Sequence, residues 1–336
     1  MGPDVHRMLK KLVVFATLSV SAYLMIAVSL ILSQWPTPIA PGETLEFTSL
    51  TYQGDQHNTT GELIAYRARD GADLTLRHFP TAAPTAPLAV ILHGSGWHGA
   101  AYIPVADYLS QHCGSEVLLP DLRGHGVAPA TRGDVGYIGA FEDDLADLIA
   151  AYRRPEQPVY MIGHSSGGGL VVRFAGGDHG SLLSKAVLLT PFLKYDAPTM
   201  RDEAGGWSHV LVRRMIGLTM LNKIGLKMLN GLTVIQFRFP RNVLDGPQSA
   251  TATTSYSYRL NASFAPRDDY LADIAELPRF LLLAGADDEA FDATLFEPVM
   301  SAVTENGAYE ILPETGHLDI IEDQDAVMRT CEFLQN

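Results

Sequence analysis

The stretch VYMIGHSSGGGLVVRFA, residues 159–175, decides the fold. It opens with a continuous apolar run, Val159–Ile162, as expected of a strand buried on both faces. It closes with Ser166–Ala175, which reads as a helix. Between them lies Gly163-His164-Ser165-Ser166-Gly167, a G-x-S-x-G. A serine at its centre sits on a tight strand-to-helix turn. The flanking glycines let the backbone approach closely, and the helix N-terminus favours developing negative charge. In a chain with 30 glycines the five-residue pattern alone would mean little. Its position directly after a strand and directly before a helix makes Ser165 a candidate nucleophile.

Outward from this unit the pattern is strand, helix, strand. Upstream, Glu62–Arg67 and Asp73–Phe79 alternate about Asp70-Gly71, a hairpin signal. Leu88–Leu92 and Glu116–Leu119 read as buried strands, with helices over Ala101–His112 and Ile138–Tyr152. Downstream come a strand at Ala186–Leu189, then Arg279–Leu283, helix Ala293–Val303, strand Tyr309–Leu312 and a last helix near Asp323–Leu334. Such alternation implies a mostly parallel sheet covered by helices on both faces. The alternation lapses for roughly 85 residues, too long for an ordinary loop. Residues 196–276 therefore read as an inserted helical cap on a core of 61–195 and 277–336.

Leu12–Leu32 is a 21-residue run without charge, long enough to cross a bilayer as a helix. Arg7, Lys10 and Lys11 precede it. The positive-inside rule then puts residues 1–11 in the cytoplasm, 12–32 in the membrane as an anchor, and the rest on the extracytoplasmic side. A cleaved signal peptide and a buried soluble helix are the alternatives. The segment 33–60, Pro-rich at its start, reads as a linker.

Acyl transfer needs N–H donors aimed at an oxyanion. One is expected from Ser166. The other is expected from His93-Gly94-Ser95-Gly96-Trp97, at Ser95 or Gly96; the plain alternative is a Gly-rich turn that merely ends a strand. Of eleven histidines, His317 follows the last strand, at the sheet edge that carries Ser165. It is the candidate base and His98 its rival. His164 should point away from the reaction, and His125 reads as structural. The orienting acid is expected in Gly285-Ala286-Asp287-Asp288-Glu289, at Asp288 with Asp287 as the alternative; Asp196 is a weaker candidate.

The ordered set HGSG, DLRGHG, GHSSG, GADD and GH resembles the α/β-hydrolase superfamily, and within it the lysophospholipase and monoacylglycerol lipase branch. The resemblance spans roughly Ala65 to Leu334 outside the cap. It implies an α/β-hydrolase fold and a Ser-Asp-His order along the chain, with the acid three residues after Gly285, at Asp288. It also implies that the first and last helices flank one face of the sheet. The only two cysteines, Cys113 and Cys331, read first as two free thiols; because the resemblance brings their helices together, a disulfide between them is the lesser alternative. The anchor is a departure from the soluble lipases of that branch.

A formal net charge of −14, without a Lys/Arg-rich run, excludes nucleic acid as an obvious partner. No cysteine has metal-ligand spacing, and the mechanism calls for no metal or organic cofactor. The expected activity is carboxylic ester hydrolysis on a small ester, lipid or lysolipid-like, through an acyl-serine. Thioesterase, acyltransferase, peptidase or haloperoxidase-like chemistry on the same machinery, or a non-catalytic binding protein on this fold, are the alternatives. The cap segment Val210–Leu232, apolar with four interspersed basic residues, reads first as cap core. Its second reading is a cover for an acyl pocket or a segment at a membrane interface.

Overall fold

The apolar runs form the middle of an eight-stranded sheet. The computed structural model describes residues 3–42, 45, 47, 61–81, 83–201, 206–247 and 249–336. A helix, α1 (Pro3–Leu32), comes first. The core follows with β1 (Glu62–Arg67), β2 (Asp73–Phe79), β3 (Leu88–Leu92), α2 (Ile103–His112), β4 (Glu116–Pro120), α3 (Ala140–Tyr152), β5 (Val159–His164), α4 (Ser166–Ala175) and β6 (Leu183–Leu189). The insertion holds β7 (Ser208–Val210), α5 (Val212–Lys223), β8 (Thr233–Phe237), α6 (Arg241–Leu244), β9 (Ser255–Ser257), α7 (Tyr258–Phe264) and α8 (Tyr270–Ala275). The core resumes with β10 (Phe280–Gly285), α9 (Phe296–Met300), β11 (Gly307–Leu312) and α10 (Gln324–Gln335).

Strand order is β1-β2-β4-β3-β5-β6-β10-β11. The β1–β2 and β2–β4 pairs are antiparallel and the rest parallel. Every residue of β3, β4, β5 and β10 is buried, which is why these segments read as unbroken apolar runs rather than alternating ones. From β3 the chain steps to β4 on one side and later to β5 on the other. That reversal opens a crevice at the strands' C-terminal ends, where ligands bind in open α/β sheets. This is the α/β-hydrolase fold with a helical insertion.

The hairpin, the strands and the flanking helices fall within a few residues of expectation. Two features depart from it. The insertion is helical, but it also carries a three-stranded antiparallel sheet, β7-β8-β9. Strands of three to five residues are too short to leave a period-two signal in the sequence. The segment expected first as cap core is core on one face only. Leu218 and Leu221 are buried, whereas Ile216, Ile224 and Met228 are exposed.

Cys113, capping α2, and Cys331, on α10, are joined in a disulfide with Cα atoms 5.4 Å apart rather than left as free thiols, because α2 and α10 pack together. Most of the expected linker 33–60 lies outside the described residues. Of its described part, Leu45 and Phe47 are buried in the core, and Phe47 meets Trp97 at a ring-centroid distance of 4.9 Å. The last third of α1 packs on the cap: Ala27 and Ile31 are buried with Leu218, Leu221 and Val234.

Candidate active site

Ser165 stands between β5 and α4 with φ 53° and ψ −120°, a strained conformation for a residue with a side chain. The two motif glycines make the turn feasible. A Cβ on Gly163 would lie 2.4 Å from the Gly167 carbonyl oxygen, and one on Gly167 would lie 2.3 Å from that of Leu92. Only hydrogen fits at either position, so the turn packs directly onto the end of β3.

Three loops at this edge bring a relay together. His317 Nε2 lies 3.0 Å from Ser165 Oγ, and His317 Nδ1 lies 2.9 Å from Asp288 Oδ2. An ionised carboxylate can only accept, so Nδ1 carries the proton and Nε2 is free to take one from the serine. Asp288 is buried. It also accepts from the Ala290 and Phe291 N–H groups, each at 2.8 Å, and from the Thr190 hydroxyl. Burial alone would raise its carboxyl. The charge of His317 and the hydrogen bonds from His317, Thr190 and Phe291 outweigh burial and bring it down to about 2.

The rivals lie elsewhere. Asp287 is exposed. Asp196 is an exposed partner of Lys194 at 3.4 Å. His98 lies tilted beside Trp97, at a centroid distance of 5.0 Å. It is buried, and burial lowers its pKa to about 4.

Several positioning groups escaped the sequence reading. Glu289 accepts from the His317 N–H at 2.8 Å. His164 turns away from the reaction, as expected, but it braces the base from below. Its Nε2 donates to the His317 carbonyl at 2.9 Å, so its Nδ1 accepts from Tyr102 Oη, also at 2.9 Å. Burial, with the neighbouring His317 charge, lowers the His164 pKa to about 3 and keeps the ring neutral. His125 Nδ1 donates to the Arg123 carbonyl at 3.1 Å. Its Nε2 must therefore accept from the Tyr256 hydroxyl at 2.7 Å. That hydroxyl in turn accepts the Gly96 N–H at 2.5 Å. Arg123 anchors the whole chain of bonds by pairing with Asp144 on α3 and with Asp70 in the β1–β2 hairpin turn.

The Gly96 N–H is thus turned toward Tyr256, a cap residue. The N–H groups of Ser95 and Ser166 have no protein acceptor among the described residues. The two side chains meet, Oγ to Oγ at 2.5 Å. Beside Ser165 lies a cavity of about 110 Å³. Its described walls include Phe192, Met200, Trp207, Phe237, Phe264 and Phe291. Four of these come from the insertion or its entry, so the cap shapes what reaches the serine.

The family model described as Serine aminopeptidase, S33, matches residues 83–324. The probable protein phosphatase methylesterase 1 of Caenorhabditis elegans is 22% identical over 247 residues, 69% of this chain and 64% of that protein. The monoglyceride lipase of Rattus norvegicus is 28% identical over 155 residues, 46% of this chain and 49% of that protein. The chain spans less than two thirds of the length of these curated relatives. Among solved structures, an alpha/beta hydrolase from Penicillium sp. sh18 superposes with a TM-score of 0.61 at 16% identity. The match covers 82% of this chain and 97% of that one, and at such identity it speaks to the fold alone.

Proposed function

The chain belongs to the serine aminopeptidase S33 family of α/β hydrolases, and from that premise we propose that it hydrolyses lipid or lysolipid-like carboxylic esters at the extracytoplasmic face of a membrane. It is a serine hydrolase with Ser165, His317 and Asp288 as its triad. The observation that carries the lipid reading is the aromatic and aliphatic cavity against Ser165, which suits an acyl chain better than the ammonium group of a peptide.

The chemistry follows from the geometry. His317 Nε2 takes the Ser165 proton as Oγ attacks the ester carbonyl, and Asp288 stabilises the imidazolium. The Ser166 and Ser95 N–H groups receive the developing oxyanion. The Gly96 N–H, engaged by Tyr256, instead holds the loop in place. The C–O bond to the alcohol breaks as the imidazolium returns its proton to the leaving oxygen. Water, deprotonated by His317, then attacks the acyl-serine and releases the acid.

The anchor rests on the length of α1 and on its exposed apolar surface, with Arg7, Lys10 and Lys11 at its start. Burial of Ala27 and Ile31 against the cap favours a retained helix over a cleaved leader, because removal would strip a packed face. The Cys113–Cys331 disulfide favours an oxidising compartment for the core, 61–195 with 277–336, and the cap, 196–276. The test is a panel of acyl esters of increasing chain length, assayed with and without vesicles. We expect medium and long chains presented in vesicles to be favoured. A preference for short soluble esters, indifferent to vesicles, would overturn the lipid reading.

A further inference from the structure

We propose that α5 and the loop after it, residues 212–229, are sunk in the outer leaflet of the bilayer that α1 crosses, so that the cap draws its ester directly from the membrane. The inference rests on the reading of α1 as an anchor.

The two helices pack antiparallel. The Arg213 N–H donates to Gln34 Oε1 at 2.9 Å, and the Arg214 guanidinium to the Ile31 carbonyl at 3.4 Å. A Cβ on Gly217 would strike the Ala27 carbonyl oxygen, so the backbones are in close contact there. Further on, the Tyr23 hydroxyl donates to the Met220 carbonyl at 2.8 Å. Moving along α5 from 213 to 220 therefore means moving back from Gln34, just past α1, down that helix to Tyr23. From Leu32 to Tyr23 is about 14 Å at 1.5 Å per residue.

A hydrocarbon core of about 30 Å needs about 20 helical residues. The uncharged run of α1, Leu12–Leu32, supplies that number only if its last ten residues, Tyr23–Leu32, are included. Those ten are the part α5 lies against. The stretch clear of the cap, Leu12–Ala22, is about 16 Å long, roughly half a bilayer core. Sliding the helix outward to free the cap would draw Lys10, Lys11 and Arg7 into hydrocarbon, which is costly. Sinking the cap avoids this.

The surface of the cap fits that position. Past Met220, at the end of α5 that lies beside Tyr23, Ile224, Leu226 and Met228 are exposed, Met228 to 88%. Val212 and Ile216 continue the exposed apolar face along α5. Contiguous apolar exposure of this kind marks a partner surface. It is flanked by exposed Lys223 and Lys227, whose aliphatic stems can lie in the acyl region while their ammonium groups reach lipid phosphates. The route to Ser165 is short. Val234 of β8 packs against the α1–α5 pair, while Phe237 of the same strand lines the cavity.

The test uses the full chain in phosphatidylcholine–phosphatidylglycerol vesicles. Single cysteines at Leu18→Cys, Met228→Cys or Glu305→Cys carry an environment-sensitive fluorophore, and quenching by spin-labelled lipids reports depth. We expect quenching at positions 18 and 228 and none at 305, on the far side of the core. Quenching at 18 without quenching at 228 would overturn the sunken cap and leave the anchor standing. No quenching at either would overturn both. In parallel, the double variant Ile224→Asp, Met228→Asp should turn over a short soluble ester as the wild type does and lose about tenfold on a vesicle-borne ester. An unchanged vesicle rate would contradict the inference. If position 228 is quenched yet the wild type ignores vesicle-borne esters, the substrate reading fails and the docked cap remains.

Discussion

Replacing Tyr256 with Phe would remove a single oxygen from the cap and test how the loop proposed to carry an oxyanion donor is held. In the wild type that oxygen accepts the Gly96 N–H at 2.5 Å and donates to His125 Nε2 at 2.7 Å. Gly96 and His125 are both buried, so Tyr256→Phe leaves an amide and an imidazole nitrogen unpaired out of reach of water. Each such group costs about 1–3 kcal/mol, and the hydroxyl's own desolvation is recovered, so the net loss of stability should be about 2–4 kcal/mol. The expected kinetic effect comes through Ser95, the proposed oxyanion donor before Gly96. Losing an oxyanion donor outright lowers kcat by about 10²–10³. A donor displaced but still present should lower it by about ten- to a hundredfold, at the weak end of that range. The aromatic ring, which lines the cavity, is retained, so KM should change little. The assay is kcat and KM on a soluble ester, alongside Tm. Wild-type kcat and Tm would refute the bracing role. A rise in KM alone would make Tyr256 a substrate contact and nothing more.

Four other outcomes can be checked with the same protein. Asp288→Asn should leave KM near wild type and lower kcat by about 10⁴, because an amide can hold His317 in the wrong tautomer. Asp288 titrates near 2 in the fold against an ordinary 3.8, so its stabilisation is full above about pH 4 and is lost as pH falls toward 2. The gap in unfolding free energy between wild type and Asp288→Asn, about 2 kcal/mol from this carboxyl at pH 5, should close over that range in urea titrations. Alkylation without reductant should leave Cys113 and Cys331 unmodified by mass, and the double Cys→Ser variant should lose about 2–5 kcal/mol, because the bridge spans 218 residues. Gly167→Ala should give little folded, active protein, since its methyl group would meet the Leu92 carbonyl oxygen at 2.3 Å; recovery of soluble protein and its ester turnover would show this.

The core and the triad were legible because each leaves a local mark. A strand buried on both faces reads as an apolar run, as Leu88–Leu92 does. A strand-to-helix serine turn must have glycines where backbones touch, as at Gly163 and Gly167. Asp288 needed more than its neighbours could tell. The adjacent acids differ only in which way the turn after β10 points them, and here Asp288 goes inward while Asp287 faces solvent. The bracing groups were invisible for a different reason. Tyr256 reaches Gly96 across 160 positions and His164 reaches His317 across 153, and no short-range pattern encodes either contact. The docking of α1 on α5 was hidden in the same way. An apolar helix reads as a membrane span whether or not one of its faces is packed against protein, and Gly217, which lets the two backbones meet, is unremarkable in sequence. The disulfide lay between. The resemblance put the first and last helices on one face of the sheet, but only the packing of α2 against α10 brings Cys113 to Cys331.

The central claim is that Ser165 attacks, activated by His317. The most direct measurement is the intact mass of the folded full-length chain after incubation with a fluorophosphonate, followed by mapping of the modified residue. The expected result is one adduct, on Ser165, absent in Ser165→Ala and formed far more slowly in His317→Ala. Folded wild-type protein that takes up no adduct, or a Ser165→Ala variant that still does, would contradict it.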